Sequence, residues 1–340
     1  MESEPAGIDR FLDLLTSAAI SQAVAVAAEL GIADELSDEG RSVDELARLT
    51  RCHPPALYRL MRALAAFELV REGADRTFSL APLGRLMRRD ASDGFRATLL
   101  WWGKYRWKAW AHLLHSVRTG ESARKLTFGV EGFAHLGADA EAASLLNESM
   151  AEYSRLVAKD VADICDLARM DTVVDVGGGY GALLATILNT YPGVRGILYD
   201  LPHVVDGARR QLSSANVLDR CEIVTGDFFD SIPANGDVYL LKSILHDWDD
   251  ERSIAILRNC HAAATRGVEI LVVEHVMPTT IVASNYDRSV TTRDLNMLVM
   301  LHGRERTLQE FRRLFEASEL EFVAATEVSL GFSVIQVVVA

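Results

Sequence analysis

The chain has 340 residues and only four cysteines, Cys52, Cys165, Cys221 and Cys260, none in a Cys-x-x-Cys spacing. That scatter excludes a disulfide framework and any zinc ribbon. No uninterrupted apolar run reaches the length of a membrane span. The nearest, Ala18 to Ala28, is broken by Ser21 and Gln22 and ends at Glu29. The start, Met1-Glu-Ser-Glu-Pro5, is acidic and lacks the basic region of a secretory or transit peptide. Basic residues are scarce, with 35 Lys and Arg against 48 Asp and Glu, a net charge of −13. Such a balance argues against a wide nucleic-acid surface, which needs phosphate neutralisation. No repeat period or low-complexity tract shows. What remains is 49% hydrophobic and 24% charged, a globular composition long enough for two domains. The expectation is a cytoplasmic protein with neither nucleic acid nor membrane as partner.

Residues 8 to 170 read almost entirely as helix. Apolar residues recur at helical spacing from Ile8 to Leu15 and from Ala18 to Leu30, stopping at Gly31. Ser42-Val-Asp-Glu45 has capping-box spacing and opens a short helix over Val43 to Leu49. Pro54 and Pro55 suit the first turn of the next, Ala56 to Leu69. Val70 to Leu80 then holds a Gly-containing turn between two β-like pieces. Helix, turn, helix and small hairpin make a winged-helix-like module.

From residue 171 strands alternate with helices, which means a parallel sheet covered on both faces. Strands are predicted over Thr172 to Val176, Gly196 to Tyr199, Glu222 to Val224, Val238 to Leu241 and Glu269 to Val273. Glu321 to Val328 and Phe332 to Val339 read as an antiparallel hairpin on the sheet's edge. The predicted fold is α/β, a Rossmann-like sheet ending in that hairpin, behind an all-helical winged-helix-like domain. The predicted division is 1–95, a helical linker over 96–170, and 171–340.

The loop Val174-Asp-Val-Gly-Gly-Gly-Tyr-Gly-Ala182 is the first chemical clue. Glycines at a strand end let the backbone approach a ligand and turn sharply into a helix. Alone it is ambiguous, since Gly177-x-Gly179-x-x-Ala182 also satisfies a dinucleotide fingerprint, and a ligand-free tight turn needs the same residues. Asp175, before the glycines, places a carboxylate where a cationic group fits better than a pyrophosphate. Asp200 ends the second strand, in line with a ribose-hydroxyl acceptor. Gly226-Asp-Phe-Phe229 puts an acid and an aromatic side by side, suited to an adenine's amino group and face. This pattern resembles the S-adenosylmethionine methyltransferases.

The likeness sharpens at Leu240-Leu-Lys-Ser-Ile-Leu-His-Asp-Trp-Asp-Asp-Glu251, Tyr199-Asp-Leu-Pro-His203, Val273-Glu-His-Val-Met-Pro278 and Gly303-Arg-Glu-Arg-Thr307. With the loops above, these resemble the caffeate-type O-methyltransferases and their bacterial natural-product relatives over nearly the whole chain. The resemblance implies S-adenosylmethionine as cofactor, S-adenosylhomocysteine as product, no metal, and a homodimer built on the N-terminal module. It implies cofactor contacts at Ser154, Asp175, Gly177, Asp200, Leu201, Asp227, Phe228 and Lys242, with Trp248 near the adenine. It makes His246 the general base, flanked by Glu274 and Glu305. The acceptor would be a small aromatic or polyketide molecule bearing a hydroxyl, bordered by Met150, Asn296 and Met300.

Each of these residues also has a plainer reading. His246 stands near a helix start where Asp247, Asp249 and Asp250 serve as caps. Glu274 and Glu305 could be a strand-end acid and a helix-entry acid. The segment Leu100-Trp-Trp-Gly-Lys-Tyr-Arg-Trp-Lys-Ala-Trp110 either packs as the core of a long helix or lends rings such as Trp107 to an acceptor pocket. His112, His115, His135 and His261 carry no ligand spacing, and no metal cluster is evident.

Three rival functions remain. A winged-helix transcriptional regulator needs a basic face, yet residues 1–90 hold 11 Lys and Arg against 15 Asp and Glu. A nicotinamide oxidoreductase is supported by the Gly-rich loop alone. A cofactor-binding protein without transferase activity is disfavoured by the intact His246.

Overall fold

The computed structural model describes residues 4–130, 132–164 and 167–340, so Cys165 lies outside the described residues. Cys52, Cys221 and Cys260 are free thiols. The chain forms two compact units, 1–107 and 108–340.

In the first unit helix α1, Glu4–Leu30, ends at Gly31, whose φ of 70° is open to glycine at no steric cost. Strand β1, Arg41–Ser42, leads into α2, Val43–Thr50, and the Ser42 side chain caps it by accepting from the Glu45 N–H. Helix α3, Pro54–Ala66, begins with its two prolines, where no intrahelical N–H is needed. Strands β2, Val70–Glu72, and β3, Thr77–Leu80, form the predicted hairpin. The order is β1-β3-β2, so this unit is not all-helical. A two-residue strand is too short to show alternation, and β1 is fixed by its partners Thr77 and Phe78 instead. Leu46, Leu57, Met61, Leu64 and Phe78 fill the core.

The first half of α1 leaves its apolar residues uncovered. Ile8, Phe11, Leu12, Leu14 and Leu15 are each about half or more exposed. Gly7–Leu30 also has the length and mean hydropathy, 1.6, of a helix able to cross a membrane. Thr16, Ser17, Ser21 and Gln22, with Asp9, Arg10, Asp13 and Glu29, cut it into short apolar runs, so no unbroken span shows in the sequence.

The aromatic segment is not one long helix. Arg96–Trp101 is α-helical, Trp102–Arg106 widens into a π turn, and Trp107–Trp110 resumes the α-helix. Gly103 lies at the bend, where an added Cβ would crowd the Ala25 side chain. Trp101 and Tyr105 are buried and stacked at 4.9 Å, while Trp107 is 40% exposed. Packing accounts for the first two rings.

The second unit carries α4 (Ala140–Ile164), β4 (Thr172–Val176), α5 (Ala182–Thr190), β5 (Arg195–Asp200), α6 (Val205–Ser214) and β6 (Cys221–Thr225). It continues with β7 (Val238–Lys242), α7 (Asp250–Ala263), β8 (Glu269–His275), α8 (Asn285–Met300), α9 (Leu308–Ala317), β9 (Leu320–Glu327) and β10 (Phe332–Val339). The sheet order is β6-β5-β4-β7-β8-β10-β9. Strands β4 to β8 pair in parallel, and β10 runs antiparallel to both β8 and β9.

Continuous apolar runs follow from burial on both faces. In β7, Val238 and Leu240 join one core while Tyr239 and Leu241 join the other. Each such side chain contributes about 1.5–3 kcal/mol on burial, so a charge in β7 would break the sheet's middle. The chain order reverses beside β4, and that switch point opens a crevice at the carboxyl ends of the strands. Gly177, Asp200, Asp227, His246 and Glu274 all come from that edge.

Candidate active site

His246 sits on a loop that the protein holds from two sides. After β7 the chain passes through Ser243, at φ 56°, and a short turn over Leu245–Asp247. The buried Glu274, on neighbouring β8, accepts through Oε1 from the backbone N–H groups of Ile244 (2.9 Å), Leu245 (2.9 Å) and His246 (3.3 Å). From the other side Arg306, fully buried, donates to the carbonyls of Leu245 and Trp248 at 2.7 Å each and to Asp250 at 2.9 Å. Gly303 lies so close that an added Cβ would overlap the His246 carbonyl. The motif Gly303-Arg-Glu-Arg-Thr307 is therefore a clamp, a role for Arg306 that the sequence did not reveal. Of the three aspartates read as caps, Asp249 caps α7 by accepting from the Arg252 N–H. Asp250 pairs with Arg304 and Arg306, and Asp247 faces the imidazole.

Three carboxylates surround that ring. Nδ1 lies 3.2 Å from Glu305 Oε1 and 3.4 Å from Glu274 Oε2, and Nε2 lies 3.3 Å from Asp247 Oδ1. Glu305 is itself aimed, its N–H donating to Asp294 at 2.9 Å. Burial works against the charged imidazole, yet Glu274, Glu305 and Asp247 overcome it and push His246 up to about 10. Burial also raises Glu274, to about 7, with His246 opposing. Glu305 is buried too, but the imidazolium holds its carboxyl below the ordinary range. The cofactor-free cluster thus favours the imidazolium, whose charge is shared with the three carboxylates, and the ring accepts a proton only when neutral.

The sequence shows no metal-ligand spacing, but the fold brings ligand-type atoms of His246, Glu274 and Glu305 within 4.8 Å of one another. Glu305 Oε1 is hydrogen-bonded to His246 and Glu274 Oε1 to the loop backbone, while Glu274 Oε2 and Glu305 Oε2 are buried without hydrogen-bond partners.

Beside the loop lies a second set of expected residues. Gly177 has φ 68°, and a Cβ there would drive into Ile244. Asp200 accepts from the Gly179 N–H at 2.8 Å and the Leu201 N–H at 2.7 Å, which fixes its carboxylate at the strand end. Asp227 is exposed and accepts from the Phe229 N–H. The Trp248 ring stands edge-on to Phe228 and Phe229, with centroids at 6.1 and 4.8 Å, and Phe133 closes in at 6.2 Å. Asp175 is buried with no partner for Oδ2. Burial and Asp200 push it up to about 7 against the pull of Lys242. An orphaned buried carboxylate, an exposed acid and an aromatic wall fit an adenosyl group carrying positive charge.

Other expected residues are placed less openly. Burial drives Lys242 down to about 8, against the pull of Glu274 and Asp175, and its ammonium lies 4.9 Å from the Phe332 ring centre. Ser154 donates to the Met150 carbonyl one turn back. Asn296 and Met300 are buried, and Asn296 accepts from the Trp110 indole at 3.2 Å. Met150 is half-buried, and Trp107 ends the first unit. His275, Arg293 and Asp294, near the same cluster, carried no sequence signal.

The model of an O-methyltransferase domain matches residues 110–320, and that of an O-methyltransferase dimerisation domain matches residues 12–90. The chain is 40% identical to the phenazine O-methyltransferase of Lysobacter antibioticus over 96% of this chain and 94% of that one. Among solved structures, LaPhzM superposes with a TM-score of 0.93 at 39% identity, covering 98% of this chain and 99% of that one. An O-methyltransferase from neocarzinostatin biosynthesis, solved with S-adenosylmethionine and 2-hydroxy-5-methyl naphthoic acid, superposes at 0.80 with 32% identity, covering 95% and 96%.

Proposed function

This chain belongs to the O-methyltransferase family that carries an N-terminal dimerisation domain and is an S-adenosylmethionine-dependent enzyme; on that premise we propose that it methylates a phenolic hydroxyl of a polycyclic aromatic natural product, with His246 as base. The observation that carries the proposal is the half-buried His246, aimed through Nδ1 at Glu305 on a loop pinned by Glu274. The relatives named above support the acceptor class through a phenazine and a naphthoic acid.

A phenol resembles tyrosine, with a pKa near 10, so only about one part in a thousand is ionised at pH 7. Glu305 accepts from Nδ1–H, so in the neutral ring Nε2, beside Asp247, is the atom that takes the phenolic proton, and the fraction of neutral ring grows as the pH rises. The imidazolium then formed is stabilised by Glu305, Glu274 and Asp247. General-base action of this kind contributes about 10²- to 10⁴-fold. The cofactor, when bound, supplies an electrophilic methyl group. Asp200 and Leu201 would hold its ribose side, Asp227, Phe228 and Trp248 its adenine, and Gly177, Asp175, Ser154 and Lys242 its amino-acid side. Met150, Asn296 and Met300 would border the acceptor, and Trp107 remains a further candidate there. Holding both reactants in line supplies several kcal/mol more, up to about 7–11 in the best models.

The module over 1–95 would pair two chains, with the exposed apolar half of α1 as part of the contact. Residues 96–170 would lead into the catalytic domain over 171–340, and the enzyme would work in the cytoplasm. The direct test is a labelled-methyl screen of hydroxylated phenazines and naphthoic acids with product mass spectrometry. Transfer to oxygen on such rings is expected. Absence of transfer to any hydroxylated aromatic, or methylation on nitrogen alone, would overturn the reading.

A further inference from the structure

We infer that Arg293 is a carboxylate anchor inside this active site, so that the bound state includes an aromatic hydroxy acid or the carboxylate end of the cofactor lying against its guanidinium. The inference rests on the methyl-transfer reading above and adds the chemistry of one ligand group to it.

Arg293 projects from α8 one turn before Asn296, on the same face. Its guanidinium lies 5.3 Å from the ring centre of Tyr153, a residue of α4 next to Ser154 and one turn beyond Met150. The side chain thus reaches between two helices that carry residues expected at the acceptor and the cofactor. Its Nε is buried without a hydrogen-bond partner, and among the described residues no ion pair involves it.

Glu305, the anion within reach of Arg293, is shared with His246. His275, buried on β8, lies within reach of the Arg293 charge, as do Glu305 and Lys242. The His275 Nδ1–H donates to the Gly331 carbonyl at 2.9 Å, leaving Nε2 as a buried lone pair with no partner. Burial and the Arg293 charge keep that ring neutral down to about 3. Glu305 is committed to His246, and Asp294 to the Glu305 backbone. Arg293 is half-buried, so its guanidinium is partly withdrawn from water, and an anion beside it offsets that cost. Its planar fork matches a carboxylate bidentately, and such charge-assisted bonds are among the strongest available. A neutral ring acceptor offers the buried Nε no charge to pair with, whereas an acid does.

Two calorimetric titrations test this without turnover. The first measures S-adenosylhomocysteine binding to wild-type protein, Arg293→Met and Arg293→Lys. The second measures a hydroxynaphthoic acid and its carboxamide on the product-loaded proteins. If the acceptor supplies the carboxylate, Arg293→Met weakens the acid by roughly 10- to 100-fold and leaves the carboxamide unchanged, with Lys intermediate. If the cofactor supplies it, the loss of similar size falls on S-adenosylhomocysteine, and the acid-to-amide ratio holds. Unchanged affinity in both titrations, with Arg293→Met folded by circular dichroism, would overturn the proposal and leave Arg293 as a charge balancing Glu305. A wild-type protein that binds the acid through Arg293 yet methylates nothing would instead sink the methyl-transfer reading.

Discussion

Replacing Glu305 by Gln keeps the shape of the side chain and removes one charge 3.2 Å from His246 Nδ1. Both groups are nearly sealed from water, the imidazole being 13% exposed and the carboxylate 1%, so solvent screening is weak. At an effective dielectric near 20, two charges about 4 Å apart interact by about 4 kcal/mol, which is roughly 3 pKa units. Part of this is lost as Glu274, already raised to about 7, ionises more fully in compensation. A net fall of about 2–3 units in the His246 titration is therefore expected. Only the neutral ring takes a proton, so the rate is low below the imidazolium pKa and rises with pH through it. The wild-type limb should lie well above the ordinary value of 6.5, toward the value of about 10 in the cofactor-free protein. In Glu305→Gln the limb should move to lower pH, while the plateau falls by roughly tenfold as Nδ1–H loses its charged acceptor. The variant's deficit should thus shrink as the pH is lowered. Single-turnover methyl transfer between pH 6 and 10.5 measures this. A limb that stays at the wild-type pH would refute the electrostatic account of the cluster.

Asp200→Ala should weaken S-adenosylhomocysteine by about 1.5–3 kcal/mol, the worth of a hydrogen bond to a charged acceptor, measured by calorimetry. Arg306→Met removes three hydrogen bonds, taking the guanidinium from the Trp248 carbonyl and leaving the Leu245 carbonyl only its longer bonds from Ser253 and the Trp248 N–H. It should cost about 2–4 kcal/mol in urea denaturation and depress kcat by loosening the base; an unchanged midpoint would show that the loop is held otherwise. Phe11→Glu puts a charge on the exposed apolar half of α1 and should turn a dimer into a monomer by light scattering at micromolar concentration, whereas a wild-type monomer would remove the interface.

The strands were legible where the physics is local. Thr172-Val-Val-Asp-Val176 is a short apolar run closed by glycines, and β4 has those bounds. Gly31 and Ser42 marked helix ends because left-handed backbone and N-terminal N–H groups demand such residues. The aromatic stretch was legible as a packed helix through Trp101 and Tyr105, but the π turn at Trp102–Arg106 leaves no mark in residue periodicity. The site was half visible. His246, Glu274 and Glu305 stand out through their motifs, but their convergence depends on strand neighbours and a returning loop. Against burial, His246 is raised chiefly by Glu274 and Glu305, 28 and 59 positions away, with its neighbour Asp247 adding to them. Arg306, His275 and Arg293 act through backbone carbonyls and other elements, which no spacing encodes.

The most direct test of the central claim is His246→Ala, assayed in single turnover on a phenolic acceptor with S-adenosylhomocysteine affinity measured alongside. The loop's anchors to Glu274 and Arg306 run through backbone atoms, so the change should leave the fold and the Asp200 and Trp248 contacts in place. The expected result is a methyl-transfer rate lower by about 10²- to 10⁴-fold with product affinity unchanged. Transfer at the wild-type rate, with chemistry limiting, would contradict the account and leave proximity and the acceptor's own acidity to explain catalysis.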